Sequence, residues 1–140
     1  MRVEPVLVDT SVWIDHLRGR TTAATTLLAH WLESDPDCIL INEVVTTELL
    51  RGMGDETAAG QLNAALSKLR QAPPLQIDDW HASAQIYRRC RTAGLTVRSP
   101  MDCLIAAHAM RLQVSVLATD RDFHAMASCV PLTLCSAAAQ

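Results

Sequence analysis

The chain has 140 residues, 49% apolar and 19% charged, with a formal net charge of −3 from 12 basic and 15 acidic side chains. That apolar content can fill a core and excludes disorder along the whole chain. Apolar runs such as Leu104-Ile105-Ala106-Ala107 fall far short of the ~20 residues of a membrane span.

Pro5 to Val8 reads as a short buried strand ending at Asp9. Thr10-Ser11 can cap a helix carrying Val12, Trp13, Ile14 and Leu17 that stops near Gly19. A second helix is expected over Thr22 to Glu33, with Leu27, Leu28, Trp31 and Leu32 on its apolar face. Pro36 and Asp37 turn the chain into a strand, Cys38 to Ile41, and Asn42 caps a helix with Val44, Val45, Leu49 and Leu50 at helical spacing. Gly52 and Gly54 end it, Thr57 to Leu69 is helical, and Pro73-Pro74 breaks the chain before a short strand, Leu75 to Ile77. Asp79 to Ala93 is a helix closed by Gly94. Ser99-Pro100 opens another, Met101 to Arg111, with Ser at the cap and Pro in the first turn. Val114 to Ala118 is a strand, Asp120 to Ala127 a short helix, and Val130 to Leu134 a last strand.

About five strands alternating with seven helices predict an α/β fold. Its central sheet is mostly parallel, with helices on both faces, in one domain over residues 1–140. Ligands of such sheets bind beyond the carboxyl ends of the strands. The five cysteines are odd in number and form no CxxC pair, and no histidine stands at zinc-finger spacing. They read as reduced, buried thiols of a cytoplasmic protein. No basic stretch leading into an apolar one opens the chain, so no secretion signal is expected. A negative net charge argues against nucleic-acid binding through bulk positive charge but leaves room for a local site. Eleven of the 12 basic residues are Arg, a pattern that genome composition explains as readily as phosphate binding.

The acidic residues carry the chemical signal. Asp9 follows the first strand, Glu48 lies on the helix after the second, Asp102 is in the first turn of the helix opened by Pro100, and Asp120 follows the Val114–Ala118 strand. In a parallel sheet these ends share one rim. Two like charges 4 Å apart at an effective dielectric of about 20 repel by ~4 kcal/mol, so such a group must share protons or hold a cation. The set is all hard oxygen, which selects Mg²⁺ or Mn²⁺ over Zn²⁺ or Cu²⁺ and points to metal-assisted phosphodiester hydrolysis.

Each acid also has a local reading. Asp9 can be a cap or turn residue, and Glu48 a solvated helix residue. Ser99-x-x-Asp102 and Thr119-x-x-Asp122 both have the form of capping boxes. Asp120 and Asp122 are interchangeable as the acid facing the site. The five histidines, His16, His30, His81, His108 and His124, are scattered and read as structural or surface residues. Arg51, Arg98 and Arg121 stand near motif ends, as surface residues or as contacts to RNA phosphate or a partner's carboxylate. Val12, Trp13 and Leu17, or Leu27, Leu28 and Trp31, read as core rather than as a partner-binding stripe. An aspartyl-phosphate enzyme would need a second Asp where Ser11 stands. A dinucleotide binder would need GxGxxG after the first strand, which is absent.

Four segments, in order, resemble the PIN domain. They are Val8-Asp9-Thr10-Ser11-Val12-Trp13-Ile14-Asp15, Glu48-Leu49-Leu50-Arg51-Gly52, Met101-Asp102-Cys103-Leu104-Ile105-Ala106-Ala107-His108-Ala109 and Leu117-Ala118-Thr119-Asp120-Arg121-Asp122-Phe123. More narrowly, they resemble the VapC-type toxins of bacterial toxin–antitoxin pairs. The resemblance implies a three-layer α/β/α ribonuclease with a Mg²⁺ or Mn²⁺ site held by Asp9, Glu48 and Asp102, with Asp120 as the fourth acid. It implies that Thr10 or Ser11, and Thr119, shape the pocket, and that a metal-activated water hydrolyses RNA. A homodimer and a cognate antitoxin, whose C-terminal segment blocks the active site, are implied as well. The alternative is a non-catalytic PIN-fold domain acting by protein interaction, which would keep the core and lose the acids.

Overall fold

In a computed structural model that describes residues 3–136, β1 (Val6–Val8) and β2 (Ile39–Ile41) are buried at every position. Continuous apolar strands of this kind occur where both sheet faces are covered. The neighbours across the sheet are β3 (Arg70–Gln71) beyond β2, and β4 (Ser115–Leu117) on the other side of β1, giving the order β3-β2-β1-β4. All pairings are parallel, with Leu7 opposite both Leu40 and Val116. Strand order therefore reverses between β1 and β4, and parallel sheets open a ligand crevice at the carboxyl ends of such strands.

The helices follow the expected sequence closely: α1 (Thr10–Leu17), α2 (Ala23–Ser34), α3 (Glu43–Arg51), α4 (Glu56–Leu66), α5 (Ile77–Thr92), α6 (Pro100–Leu112) and α7 (Arg121–Cys129). Thr22 and Thr25 close a reciprocal cap on α2, and Asn42 Oδ1 accepts from the Val45 N–H at the start of α3. The core runs from the strands into Val12, Trp13, Leu28, Trp31, Leu104, Ile105, Phe123 and Met126. Of the apolar positions read as core on the first two helices, Leu17 is the exception, being exposed.

Two strands differ from expectation. Leu75 to Ile77 is not a strand: the Gln76 N–H donates to Asp79 Oδ2 at 2.8 Å, and Ile77 begins α5 with its side chain 69% exposed. The sheet instead takes its edge from Arg70–Gln71, two exposed polar residues with no apolar pattern. Val130 to Leu134 reaches the sheet only as a single bridge, Val116 to Leu134, because Pro131 has no N–H to offer a ladder. The sheet has four strands where about five were expected.

α5 and α6 are tied by a buried ion pair. Arg111 Nε donates to Asp79 Oδ1 at 2.7 Å and Nη2 to Asp79 Oδ2 at 2.9 Å, with a further bond to the Pro74 carbonyl. Burial raises the Asp79 pKa, but the Arg111 bond, the Gln76 N–H and the Arg111 charge outweigh it and hold the group below its ordinary 3.8. Arg111→Met is expected to cost about 2 kcal/mol, less than the ~3–5 kcal/mol for breaking a fully buried pair because Arg111 itself is partly exposed. The depressed pKa contributes stability that is present above about pH 4 and lost as pH falls further. Denaturant melts of the variant across acid pH should therefore converge on wild type at the acid end.

The five cysteines are all free, with Cys38, Cys90 and Cys103 buried. Burial pushes the Cys103 thiol up to about 12 and Cys38 to about 11, so both stay protonated and unreactive. Among the described residues no helix is long and apolar enough to cross a membrane.

Candidate active site

The β1–β4 crevice is where the acids gather. The Asp9 N–H continues the ladder to the Leu117 carbonyl at 2.9 Å, and its side chain then caps α1. Oδ2 accepts from the Ser11 N–H at 3.0 Å and from Ser11 Oγ at 2.6 Å. Asp9 is thus a cap residue, as its local reading held, but only one of its oxygens is used. Asp9 is 2% exposed, and Oδ1 is buried with no hydrogen-bond partner. Burial raises its pKa, against the lowering effect of the Ser11 bonds.

Glu48, on α3, is not merely solvated: Thr10 Oγ1 donates to its Oε1 at 2.7 Å, and Arg51 lies 3.7 Å from its Oε2. Asp102, in the first turn of α6, is 8% exposed. The capping box that Ser99-x-x-Asp102 could have formed is absent, since Ser99 makes no side-chain cap bond. The Asp102 carboxyl is pushed up to about 7 by burial first, then by the charges of Asp9, Asp120, Glu48 and Asp122. Carboxylate oxygens of Asp102, Asp120 and Asp122 lie within 4.8 Å of one another. Asp9 and Glu48 stand outside that trio, yet both charges act on the Asp102 carboxyl.

Asp120, not Thr119, caps α7, its Oδ1 accepting from the Asp122 N–H at 2.9 Å. Asp122 Oδ2 accepts from the backbone and Nε of Arg98, at 3.1 and 3.2 Å, and Arg98 Nη2 donates to Asp120 Oδ1 at 3.1 Å. Ser11 Oγ also accepts from the Thr119 N–H at 3.3 Å, joining the two strand ends. Beside the acids a cleft of about 470 Å³ is lined by Ser11, Ile14, Asp15, Arg98, Thr119, Asp120 and Arg121.

One buried contact escaped sequence reasoning. His108, fully buried on α6, meets Asn42 Nδ2 at 3.1 Å through Nδ1 and the Pro73 carbonyl at 2.9 Å through Nε2. A neutral ring with its proton on Nε2 satisfies both contacts. It ties α6, which carries Asp102, to the start of α3, which carries Glu48. A polar residue among the apolar positions of α6 was the only signal, and the Asn42 cap gave no hint of a second partner.

The donor set fits a hard divalent cation. It is all oxygen, it contains a buried carboxylate oxygen without a partner, and the charges around Asp102 raise the proton affinity of that carboxyl. Protonation of Asp102 in the folded state up to about pH 7 stabilises the metal-free protein at low pH, and that contribution fades as pH rises from about 4 to about 7. Asp102→Asn should flatten this slope. It should also raise the metal-free unfolding free energy at neutral pH by ~0.5–2 kcal/mol, the range of single stabilising substitutions, because it removes a buried charge among like charges. Thermal melts in chelator across that range check the sign.

Comparison with known proteins identifies the family. Residues 6–128 match the PIN domain family. A VapC ribonuclease of Mycobacterium bovis and the ribonuclease VapC11 of Mycobacterium tuberculosis are each 35% identical over 125 residues, covering 87% of this chain and 91% of theirs. Among solved structures, DNA-bound VapBC of Salmonella typhimurium superposes with a TM-score of 0.72 at 17% identity, covering 96% of this chain and 99% of that one. VapC20 of Mycobacterium tuberculosis, described as a sarcin–ricin loop cleaving toxin, gives 0.66 at 20% identity over 91% and 98%. The chain belongs to the PIN-domain family and, within it, to the VapC ribonucleases.

Proposed function

We propose that the chain is a Mg²⁺- or Mn²⁺-dependent endoribonuclease, the toxin of a toxin–antitoxin pair, working in the cytoplasm as a single domain over residues 1–140. The observation that carries the reading is the buried, unpartnered Asp9 Oδ1 in a group of carboxylates drawn from four separate segments. A non-catalytic PIN-fold domain has no use for that group, which burial and mutual repulsion make costly to keep.

Asp9, Glu48, Asp102 and Asp120 are the residues that would hold the ion. When bound, a divalent ion of this type lowers the pKa of water and neutralises charge on a phosphate. The chain's own residues do the rest. Ser11 fixes the Asp9 carboxylate through two bonds to Oδ2, and Thr10 fixes Glu48 from the same turn of α1. His108 and Asn42 hold α6 and α3 at constant spacing, and with them Asp102 and Glu48. Arg121, exposed at the mouth of the cleft, offers a forked donor to the RNA backbone.

Solved neighbours described as VapBC complexes support a cognate antitoxin as partner. The exposed Ile77 and Trp80, three residues apart on α5, offer apolar surface for a homodimer or an antitoxin contact. The test is incubation of the purified chain with cellular RNA in Mg²⁺ or Mn²⁺, with mapping of the new ends. Discrete cleavage that chelator abolishes is expected. Intact RNA under all divalent conditions would contradict the reading.

A further inference from the structure

The acid cluster is not uniform. At the Asp9 end a buried oxygen has no partner, whereas at the Asp120–Asp122 end a cation is already in place. Arg98 precedes α6, and its guanidinium spans both carboxylates, Nη2 to Asp120 Oδ1 at 3.1 Å and Nε to Asp122 Oδ2 at 3.2 Å. Its own backbone N–H closes on the same Asp122 oxygen at 3.1 Å, so side chain and main chain fix the position together. The Asp122 N–H occupies Asp120 Oδ1 as well. Asp102 is common to both ends, with an oxygen in the 4.8 Å trio alongside Asp120 and Asp122.

Two consequences follow from charge and geometry. A divalent ion placed between Asp120 and Asp122 would have to displace a guanidinium that makes two forked contacts there, because cations competing for the same oxygens repel. The Asp9 end holds only the exposed Arg51, 3.7 Å from Glu48 Oε2 and too far for a hydrogen bond, and Asp120 Oδ2, which makes no hydrogen bond among the described residues, stays available to an ion there. Arg98 is 60% exposed in its side chain and lines the 470 Å³ cleft, so the position it fills is open to solvent and to competing ions.

We propose that Arg98 is a built-in counter-cation that fills the second cation position of the cluster, so that the centre takes one divalent ion, at the Asp9–Glu48–Asp102 end, and not two. This rests on the cation-dependent reading above and sets its stoichiometry. Arg98 is a positioning residue: it acts on the acids and not on the reacting phosphate.

The test is Mn²⁺ binding to the full chain, read by calorimetry for stoichiometry and by electron paramagnetic resonance for coupling between ions. Wild type should bind one Mn²⁺ per chain with the spectrum of an isolated ion. Arg98→Gln should bind two, the second bringing a spin-coupled signal, while Arg98→Lys, which keeps the charge, should return the count to one. The backbone bond to Asp122 survives every substitution, and circular dichroism confirms that each variant is folded. Two coupled ions in wild type would overturn the proposal and leave the nuclease reading standing, as would a single ion of unchanged affinity in Arg98→Gln. No bound ion in any variant would overturn both.

Discussion

Asp9→Asn should slow RNA cleavage by at least ~10²–10³-fold, the range associated with losing one preorganised electrostatic contact at a reacting phosphate. The change is nearly isosteric. An Asn oxygen can still accept from the Ser11 N–H and cap α1, so folding should be within about 0.5 kcal/mol of wild type. Burial already disfavours the charged form of Asp9, so losing the charge does not weaken the fold. What disappears is one negative ligand oxygen. The loss should therefore appear as weaker Mn²⁺ binding and slower cleavage of the same RNA at unchanged melting temperature. Equal rates for the two proteins would sink the assignment.

The largest stability effect should come from Phe123→Ala. Phe123 is fully buried on α7, one residue beyond Asp122, and belongs to the core that seats α7 beneath the crevice. Removing the ring leaves a cavity in a close-packed interior and should cost about 3–5 kcal/mol, a large part of the stability of a domain this size. Because α7 carries Asp122 and is capped by Asp120, cation affinity should fall along with stability, unlike the Asp9→Asn case. Urea unfolding with and without Mn²⁺ separates the two variants. A loss under about 1 kcal/mol would show that α7 is not anchored through this ring.

The convergence of the acids was legible because parallel sheets obey strong rules: Asp9 after an apolar run and Asp120 after another must share a rim if the runs pair in parallel. The start of α3 was legible because Asn42 caps its own helix, whereas α1 and α7 take their caps from Asp9 and Asp120, one residue before the Thr10-Ser11 cap and one after the Thr119 box that the sequence offered. The missing parts depend on contacts between distant segments. Arg70–Gln71 joins the sheet through backbone alone, so no side-chain pattern marks it. Leu75 to Ile77 looks apolar enough for a strand, yet Asp79 captures the Gln76 N–H and starts a helix. Whether Asp120 or Asp122 faces the cluster could not be read either, since Arg98, more than 20 residues earlier, engages both. The pairing of His108 with Asn42 spans 66 residues and leaves no local trace.

The most direct check is a crystal of the metal-free chain soaked in Mn²⁺, with the ion located by its anomalous scattering. An ion bound by the Asp9 and Asp102 carboxylates, with Glu48 turned toward it, is the expected result. A strong peak elsewhere, or density that leaves Asp9 Oδ1 without a partner at saturating Mn²⁺, would contradict the account.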